Sequence, residues 1–410
     1  MLKLEHILKY ISENNEFYKN VIKKYEISNS MDILQYPMLT RKQLQEHRYN
    51  MFSEGYKTKY FYQQLKRQSS SGSSGVPVNV YWDYKDWYAS NLSLWRKRYQ
   101  WYQILPSDNL IKFELNIFDD KVNGSDIYFI QNPENILTIN VSLLCSDEAY
   151  LKVVEAINQF KPVWLYVQPF VLNKLINIIE KYNVKKPESL KHIEFVGEIL
   201  SSDLRRRTVD FFGVTISNLY GSEEMNGIAY ECPCHNMHIL EDNVYAEVLN
   251  KNGFEISGRG EAVISNLNNY CMPLIRYNLE DQIILNEHQT CACGCSSAII
   301  DVIIGRSRES VLTDKGVEIN SFMLAEVISE VNNQFNDIIR EYRYTFFKAK
   351  QILLCEIRLE YGKSHWFCNV KRCINNIFII KLGNNYITEI EVKLVDAIYK
   401  NKKRKILNIV

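Results

Sequence analysis

Three groups of residues in this chain of 410 could do chemistry. The first is Ser69-Ser70-Ser71-Gly72-Ser73-Ser74-Gly75-Val76-Pro77. Its seven small residues cannot be core. Gly lets main-chain amides close on a ligand and Ser adds hydroxyl donors, which suits a polyphosphate. A Ser/Gly run is more often a flexible linker. Here, however, a strand-like stretch up to Trp82 follows at once, and then the aromatics Tyr84, Trp87 and Tyr88. A spacer between domains would not sit in such a region. The second group is Tyr220-Gly221-Ser222-Glu223-Glu224, a turn with two carboxylates. The third is a pair of knots: Cys232, Cys234, His235 and His238, then Cys291, Cys293 and Cys295. In a reducing compartment such clustering favours metal over disulfide. The dispersed Cys145, Cys271, Cys355, Cys368 and Cys373 lie in apolar surroundings and are expected to be buried thiols.

The elements around these groups follow from periodicity. Tyr150 to Phe160 and Leu204 to Phe212 have helical spacing, and Leu172, Leu175, Ile176 and Ile179 make Phe170 to Tyr182 amphipathic. Val163 to Val167, His192 to Val196 and Val214 to Leu219 are strand-like. This alternation predicts a parallel, doubly wound α/β layer. Ligands in such sheets bind beyond the carboxyl ends of the strands. Gly197-Glu198 and the Tyr220 to Glu224 turn both fall there. After residue 240 strands dominate, at Val244 to Leu249, Glu261 to Leu267, Asp281 to Leu285 and Ile299 to Ile304. Gly305-Arg306-Ser307-Arg308-Glu309 breaks the pattern. Beyond it, helices at 319–331 and 366–380 and strands at 342–347, 352–360 and 389–395 predict a small α+β unit of about 100 residues. The predicted division is therefore 1–305, a hinge at 306–309, and 310–410.

A net charge of +1 gives no global field that would draw nucleic acid or an anionic membrane. No apolar stretch reaches the roughly 18 residues needed to span a bilayer. The opening Met1-Leu2-Lys3-Leu4-Glu5-His6 carries an early acid and no apolar signal core, so a cytoplasmic protein is expected.

In this order the pieces resemble the adenylate-forming superfamily, and within it the phenylacetate-CoA ligase-like branch that includes capsule-biosynthesis adenylyltransferase homologues. The resemblance covers nearly the whole chain. Ser70 to Pro77 looks like the family's phosphate loop, with Ser70, Ser71, Gly72, Ser73, Ser74 and Gly75 as nucleotide contacts and Val76 in place of the usual Lys. Tyr220-Gly221-Ser222-Glu223-Glu224 resembles Tyr-Gly-x-Ser/Thr-Glu. That makes Glu224 the magnesium acid, with Glu223 where a hydroxyl residue is usual. Glu198, Tyr220 and Gly221 fall among the implied nucleotide-binding positions. The longest match runs from Met237-His238-Ile239 through Asp242, Glu247 and Gly260-Glu261 to Met272-Pro273-Leu274-Ile275-Arg276-Tyr277. It ends at Asp281, the implied ribose acid, which follows Glu280 where Gly is usual. Gly305-Arg306 resembles the hinge of Gly-Arg-x-Asp-Asp, placing Arg306 near ribose and phosphate. Lys403, in Lys400-Asn401-Lys402-Lys403-Arg404-Lys405, aligns with the catalytic tail lysine and Lys405 with the next basic position.

The Cys/His knots resemble a metal site of some members of this branch, matching Cys-x-Cys-Gly at Cys291-Ala292-Cys293-Gly294. Cys232, His238, Cys291 and Cys293 make one tetrahedral zinc set, with Cys234, His235 and Cys295 as alternates. Saturated ligation implies a structural role.

The resemblance implies ATP- and Mg²⁺-dependent activation of a carboxylic acid, expected to be aromatic, to acyl-AMP. Transfer to a thiol follows, either coenzyme A or the phosphopantetheine of an acyl carrier protein. Trp82, Trp87, Tyr128, Phe129, Phe195 and Tyr220 are candidates for an acid pocket, although aromatics are more often core. Amide or ester formation is a second class. A degenerate nucleotide-binding member is a third, motivated by Val76, Glu223, Glu280 and Arg308. Small acids are the expected partners, a homodimer is admitted, and neither nucleic acid nor membrane is expected.

Overall fold

A computed structural model describes residues 2–69, 78–114, 127–131, 135–144, 146–287, 290–306, 311–313, 318–319, 321–335, 338–382, 389–396 and 407–409. Helix α1 (Leu2–Asn14) forms because Leu4, Ile7, Leu8 and Ile11 line one face, all of them buried. Asn15 caps α2 (Glu16–Lys24) by accepting from the Tyr18 amide. A capping box of Thr40 and Gln43 starts α3 (Arg41–His47). After α4 (Tyr56–Phe61), strands β1 (Lys66–Ser69) and β2 (Asn79–Trp82) pair antiparallel, with Ser69 opposite Asn79. The Ser/Gly run therefore joins two paired strands. Asp83 then caps α5 (Tyr84–Tyr102).

The middle of the chain alternates as its periodicity predicts. It runs β3 (Leu110–Glu114), β4 (Tyr128–Gln131), β5 (Ile136–Asn140), α6 (Asp147–Phe160), β6 (Trp164–Val167), α7 (Pro169–Tyr182), β7 (His192–Val196) and α8 (Ser202–Phe212). The next block is β8 (Thr215–Ser222), β9 (Asn226–Glu231), β10 (Met237–Ile239), β11 (Val244–Asn250), β12 (Gly253–Glu255), β13 (Gly258–Asn266), β14 (Tyr277–Asn286) and β15 (Ile299–Arg306). The last is β16 (Val311–Leu312), β17 (Glu318–Ile319), α9 (Ser321–Gln334), β18 (Ile339–Phe347), β19 (Ile352–Leu359), α10 (Phe367–Leu382), β20 (Glu389–Leu394) and β21 (Leu407–Ile409).

Contacts divide the chain into two units, residues 1–106 with 217–303 and residues 107–216 with 304–410. In the first, strands run in the order β12-β11-β13-β14-β15-β10-β9-β8. Their inner face buries Ile228, Val248, Ile264 and Ile283 with Leu39, Leu44, Phe52 and Trp82. In the second, β7-β6-β3-β5 are parallel and β4 adds antiparallel to β5. Leu172, Leu175, Ile176 and Ile179 of α7 pack into that core. The same unit holds the C-terminal sheet β20-β19-β18-β21, with its own apolar core against α9 and α10.

Residues 304–410 group with 107–216 because polar contacts tie them to α7 and α8. Asn173 donates to the carbonyl of Arg340 at 2.8 Å, and Asn332 donates to Asp203 at 2.9 Å. The division drawn by contacts thus differs from the one read along the sequence. Strand β15 also continues through Gly305-Arg306, where a break was expected, and Ile319 belongs to a short strand rather than to α9. Cys271 and Cys355 are buried thiols, but Cys368 is exposed and Cys373 half-buried because they lie on outer positions of α10; Cys145 lies outside the described residues. Among the described residues no helix is long and apolar enough to cross a membrane.

Candidate functional site

Two irregular strands bring the predicted nucleotide residues together. In β8 the register shifts between Tyr220 and Gly221, where the strand folds back into β9. A Cβ on Gly221 would collide with the carbonyl oxygen of Asn226, so only glycine lets this turn close. In β14, Glu261 pairs with Gln282 and Val263 with Asn278. Leu279, Glu280 and Asp281 are left to face Ala262 alone, which is a bulge. Glu280 sits at its apex with φ +63°, its amide held by Asn278 Oδ1 at 2.7 Å. That left-handed conformation accounts for the Gly usual at this position. The bulge turns Asp281 so that Oδ2 accepts from the Tyr220 hydroxyl at 2.7 Å.

Glu224, only 5% exposed, anchors the other side of the turn. Its Oε1 accepts from the Tyr277 hydroxyl at 3.3 Å and lies 3.6 Å from Nη1 of Arg41. Burial, and then the charge of Glu224, push the Tyr277 phenol up, so it stays protonated and donates. Arg41 arrives there through backbone pairing: Leu39 donates to Arg276 O at 2.8 Å and accepts from Asn278 N at 2.9 Å. A carboxylate at this position is the hard oxygen donor that Mg²⁺ takes alongside phosphate oxygens, so the residue fits the ion.

Glu223 accepts from Nε2 of Gln68 at 3.2 Å, and the same Nε2 reaches Asn226 Oδ1 at 3.0 Å. Asn226 in turn donates to Ser90 Oγ on α5 at 2.6 Å. Gln68 lies on β1, the strand leading into the Ser/Gly run, so the acid in place of a hydroxyl bonds that strand to the turn. Ser70, Ser71, Gly72, Ser73, Ser74 and Gly75 themselves lie outside the described residues, as do Val76, Arg308 and Lys403.

The Arg of the Met272 to Tyr277 motif serves the frame. Arg276 is buried, with Nε and Nη2 on the two oxygens of Glu247 at 3.0 and 2.5 Å and Nη1 on the carbonyl of Tyr36 at 2.9 Å. Its guanidinium lies 3.9 Å from the centre of the Phe254 ring. A buried, fully bonded pair of this kind sets the entry of β14 and so the place of Asp281.

In the same unit the metal-type residues converge. One ligand atom each from Cys232, His238, Cys291 and Cys293 lies within 4.8 Å of the others. Cys232 Sγ and Cys291 Sγ are 3.8 Å apart, and Cys293 Sγ is 3.4 Å from His238 Nε2. A tetrahedral zinc with its usual bond lengths sets these edges at about 3.8 and about 3.5 Å, so the donors fit the ion. Ser297 Oγ sits 3.2 Å from His238 Nδ1, leaving Nε2 to face the thiols. Burial pushes the Cys232 thiol up to about 12 against the pull of the Asn236 and Cys234 amides. Cys291 is drawn down to about 5. Burial opposes this, but hydrogen bonds from the Cys293 amide, Asn236 and His238 prevail. The alternates fall outside the cluster: Cys234 is exposed, the His235 side chain is 67% exposed and faces Glu231, and Cys295 contacts Lys97 and Ser297.

Glu198 belongs to the second unit, where its carboxylate accepts from the Phe170 amide at 3.4 Å. Arg306 is the last residue of β15. Of the aromatic candidates, Trp82 and Phe195 are fully buried core and Tyr128 is exposed. Trp87 packs partly buried against the first unit's core, and Phe129 lies on β4. Sequence reasoning missed Arg41 and Gln68, and it named Tyr277 only as the end of its motif, without the bond to Glu224. The Thr40-x-x-Gln43 capping box could have placed Arg41 at a helix start, but nothing local pairs it with Glu224.

No protein-family model and no curated protein match the chain. Solved structures do. 2-Hydroxyisobutyryl-CoA ligase in the postadenylation state, in complex with R3-HIB-AMP, superposes with a TM-score of 0.79 at 14% identity, covering 100% of this chain and 88% of that one. The chain has the adenylate-forming fold. The same ligase in its thioesterification state, with 2-HIB-AMP and CoA, gives 0.62 at 16% identity over 99% and 88%. The adenylate-forming fold is also shared with anthranilate CoA ligase in complex with anthranoyl-AMP, at TM-score 0.56, 14% identity, 83% and 65% coverage.

Proposed function

We propose that the protein is an AMP-forming acid–thiol ligase of the phenylacetate-CoA ligase-like type, acting on an aromatic carboxylic acid. The observation that carries this reading is the Tyr220–Asp281 hydrogen bond beside Glu224, because it joins two predicted nucleotide motifs in one unit. In the first step a carboxylate oxygen attacks the α-phosphorus of ATP, and the bond to pyrophosphate breaks. In the second a thiol sulfur attacks the acyl carbon, the thiol proton is lost, and AMP leaves with the bonding pair. The acid is a poor electrophile, and adenylation supplies its leaving group.

The Asp281 carboxylate accepts from the ribose hydroxyls, with Tyr220 holding its orientation. The amides and hydroxyls of Ser70 to Gly75 wrap the β- and γ-phosphates. Glu224 holds Mg²⁺, whose charge offsets that of the triphosphate. Lys403 meets the charge developing at the α-phosphate. Residues 310–410 turn about a hinge at 306–309 between the two steps, with Arg306 near the ribose. Cys232, His238, Cys291 and Cys293 hold a structural zinc. Coenzyme A or a carrier phosphopantetheine is the acceptor, in the cytoplasm.

The degenerate alternative loses part of its motive, since Glu223 has a bonding partner in Gln68 and Glu280 is accommodated in the bulge. ATP–pyrophosphate exchange over a panel of aryl and alkyl acids tests the reading. Acid-dependent exchange supports it. Nucleotide binding without exchange for any acid would leave the degenerate reading standing, and exchange coupled only to amines would move the activity to amide formation.

A further inference from the structure

Arg41 is a half-buried cation beside a buried acid. Its guanidinium lies 3.6 Å from Glu224, with side-chain exposures of 14% and 6%. The Tyr277 hydroxyl donates to the same Oε1 at 3.3 Å, its phenol pushed up by burial and then by the charge of Glu224, against the pull of Arg41. At this burial the attraction between guanidinium and carboxylate is several times what it is in water. A plain structural salt bridge is the obvious alternative. Helix α3 does not need one: the Thr40 capping box starts it, the Leu39 backbone pairs with Arg276 and Asn278, and Leu44 buries its apolar face.

We infer that Arg41 is the internal counter-ion of Glu224 and keeps a divalent cation from binding there until a nucleotide accompanies it. The inference rests on the adenylation reading of Glu224. With its charge already matched, the carboxylate offers a free cation little. An incoming polyphosphate changes the balance, because its oxygens supply both metal ligands and anionic partners for the guanidinium. Metal and nucleotide binding are then coupled by a residue that the phosphate-loop motif does not contain.

The test is a Mn²⁺ titration of the zinc-loaded, nucleotide-free full chain, followed by electron paramagnetic resonance. Wild type and Arg41→Lys should bind Mn²⁺ weakly. Arg41→Gln should bind it about tenfold or more tightly, since it leaves a buried carboxylate unmatched. The added change Glu224→Gln should erase the gain. Should Arg41→Gln fail to fold, Arg41→Met, which keeps the packing of the stem, takes its place in the same titration. Equal affinity in wild type and variant, or a gain that survives Glu224→Gln, overturns the inference. ATP binding by the wild type is measured separately. Its absence would sink the adenylation reading, whereas the Mn²⁺ titration judges Arg41 without nucleotide.

Discussion

The hydroxyl of Tyr220 donates to Oδ2 of Asp281 at 2.7 Å across 61 residues of sequence, each side chain delivered by an irregular strand. Neither strand would present its residue this way if its ladder were regular. The pair predicts a graded loss. Tyr220→Phe should weaken AMP binding roughly fivefold, about one net hydrogen bond. If Asp281 binds the ribose as proposed, Asp281→Ala should weaken it by about a hundredfold, the loss of two charge-assisted bonds. Calorimetric titration with AMP measures both. Equal effects would mean that Tyr220 touches the nucleotide itself rather than orienting Asp281.

Glu280 holds φ +63° without being glycine. A left-handed residue with a Cβ costs about 1–2 kcal/mol, and glycine returns about half of that as unfolded-chain entropy. Glu280→Gly should therefore stabilise the fold by about 0.5–1 kcal/mol in urea melts. A loss of stability would show that the Glu280 side chain contributes more than its backbone strain costs.

The cysteine cluster predicts about one zinc per chain. Cys291→Ser with Cys293→Ser should lose the metal and lower the melting temperature. Ser297→Ala should keep the metal but speed its release to a chelator, with affinity down roughly 10–100-fold, because His238 loses the partner at Nδ1. Elemental analysis and chelator kinetics read these outcomes. Metal-free wild type of unchanged stability would end the zinc assignment.

Asp86, 4% exposed in the first turn of α5, accepts from the Tyr270 amide at 3.1 Å. Burial pushes its carboxyl from 3.8 up to about 6. A raised folded value means that the folded state binds the proton more tightly. The stability it contributes is full below about 4 and is lost as pH rises through about 6. Asp86→Asn keeps an acceptor and removes the charge. Relative to wild type it should gain roughly 1–2 kcal/mol between pH 4 and pH 8, a figure discounted for residual solvent access. Thermal melts across that range would show a flat difference if Asp86 is solvated like an ordinary surface acid.

Much of the protein was legible along the chain. The i, i+3, i+4 pattern of Leu172, Leu175, Ile176 and Ile179 marked α7, and the β-branched and aromatic run at His192 to Val196 marked β7, because each element is set by neighbours a turn or a pleat away. The glycine and acids of Tyr220 to Glu224 were readable for the same reason: a tight turn is a local object. What the tertiary structure alone decided is longer in range. Three residues of β14 set against one of β13, an excess of two, place Asp281 beside Tyr220, and strand register depends on the packing of the whole sheet. The pairing of Leu39 with β14 brings Arg41 to Glu224 from an N-terminal segment whose local sequence says only that a helix starts there. Seven Cys and His residues shared the metal-type spacing, and the hairpin of β9 and β10 chose Cys232 and His238 by facing them toward Cys291 and Cys293 while leaving Cys234 and His235 at the exposed turn. Spacing limits which donors can meet; the directions of their side chains, fixed by strand pairing, decide which of them do.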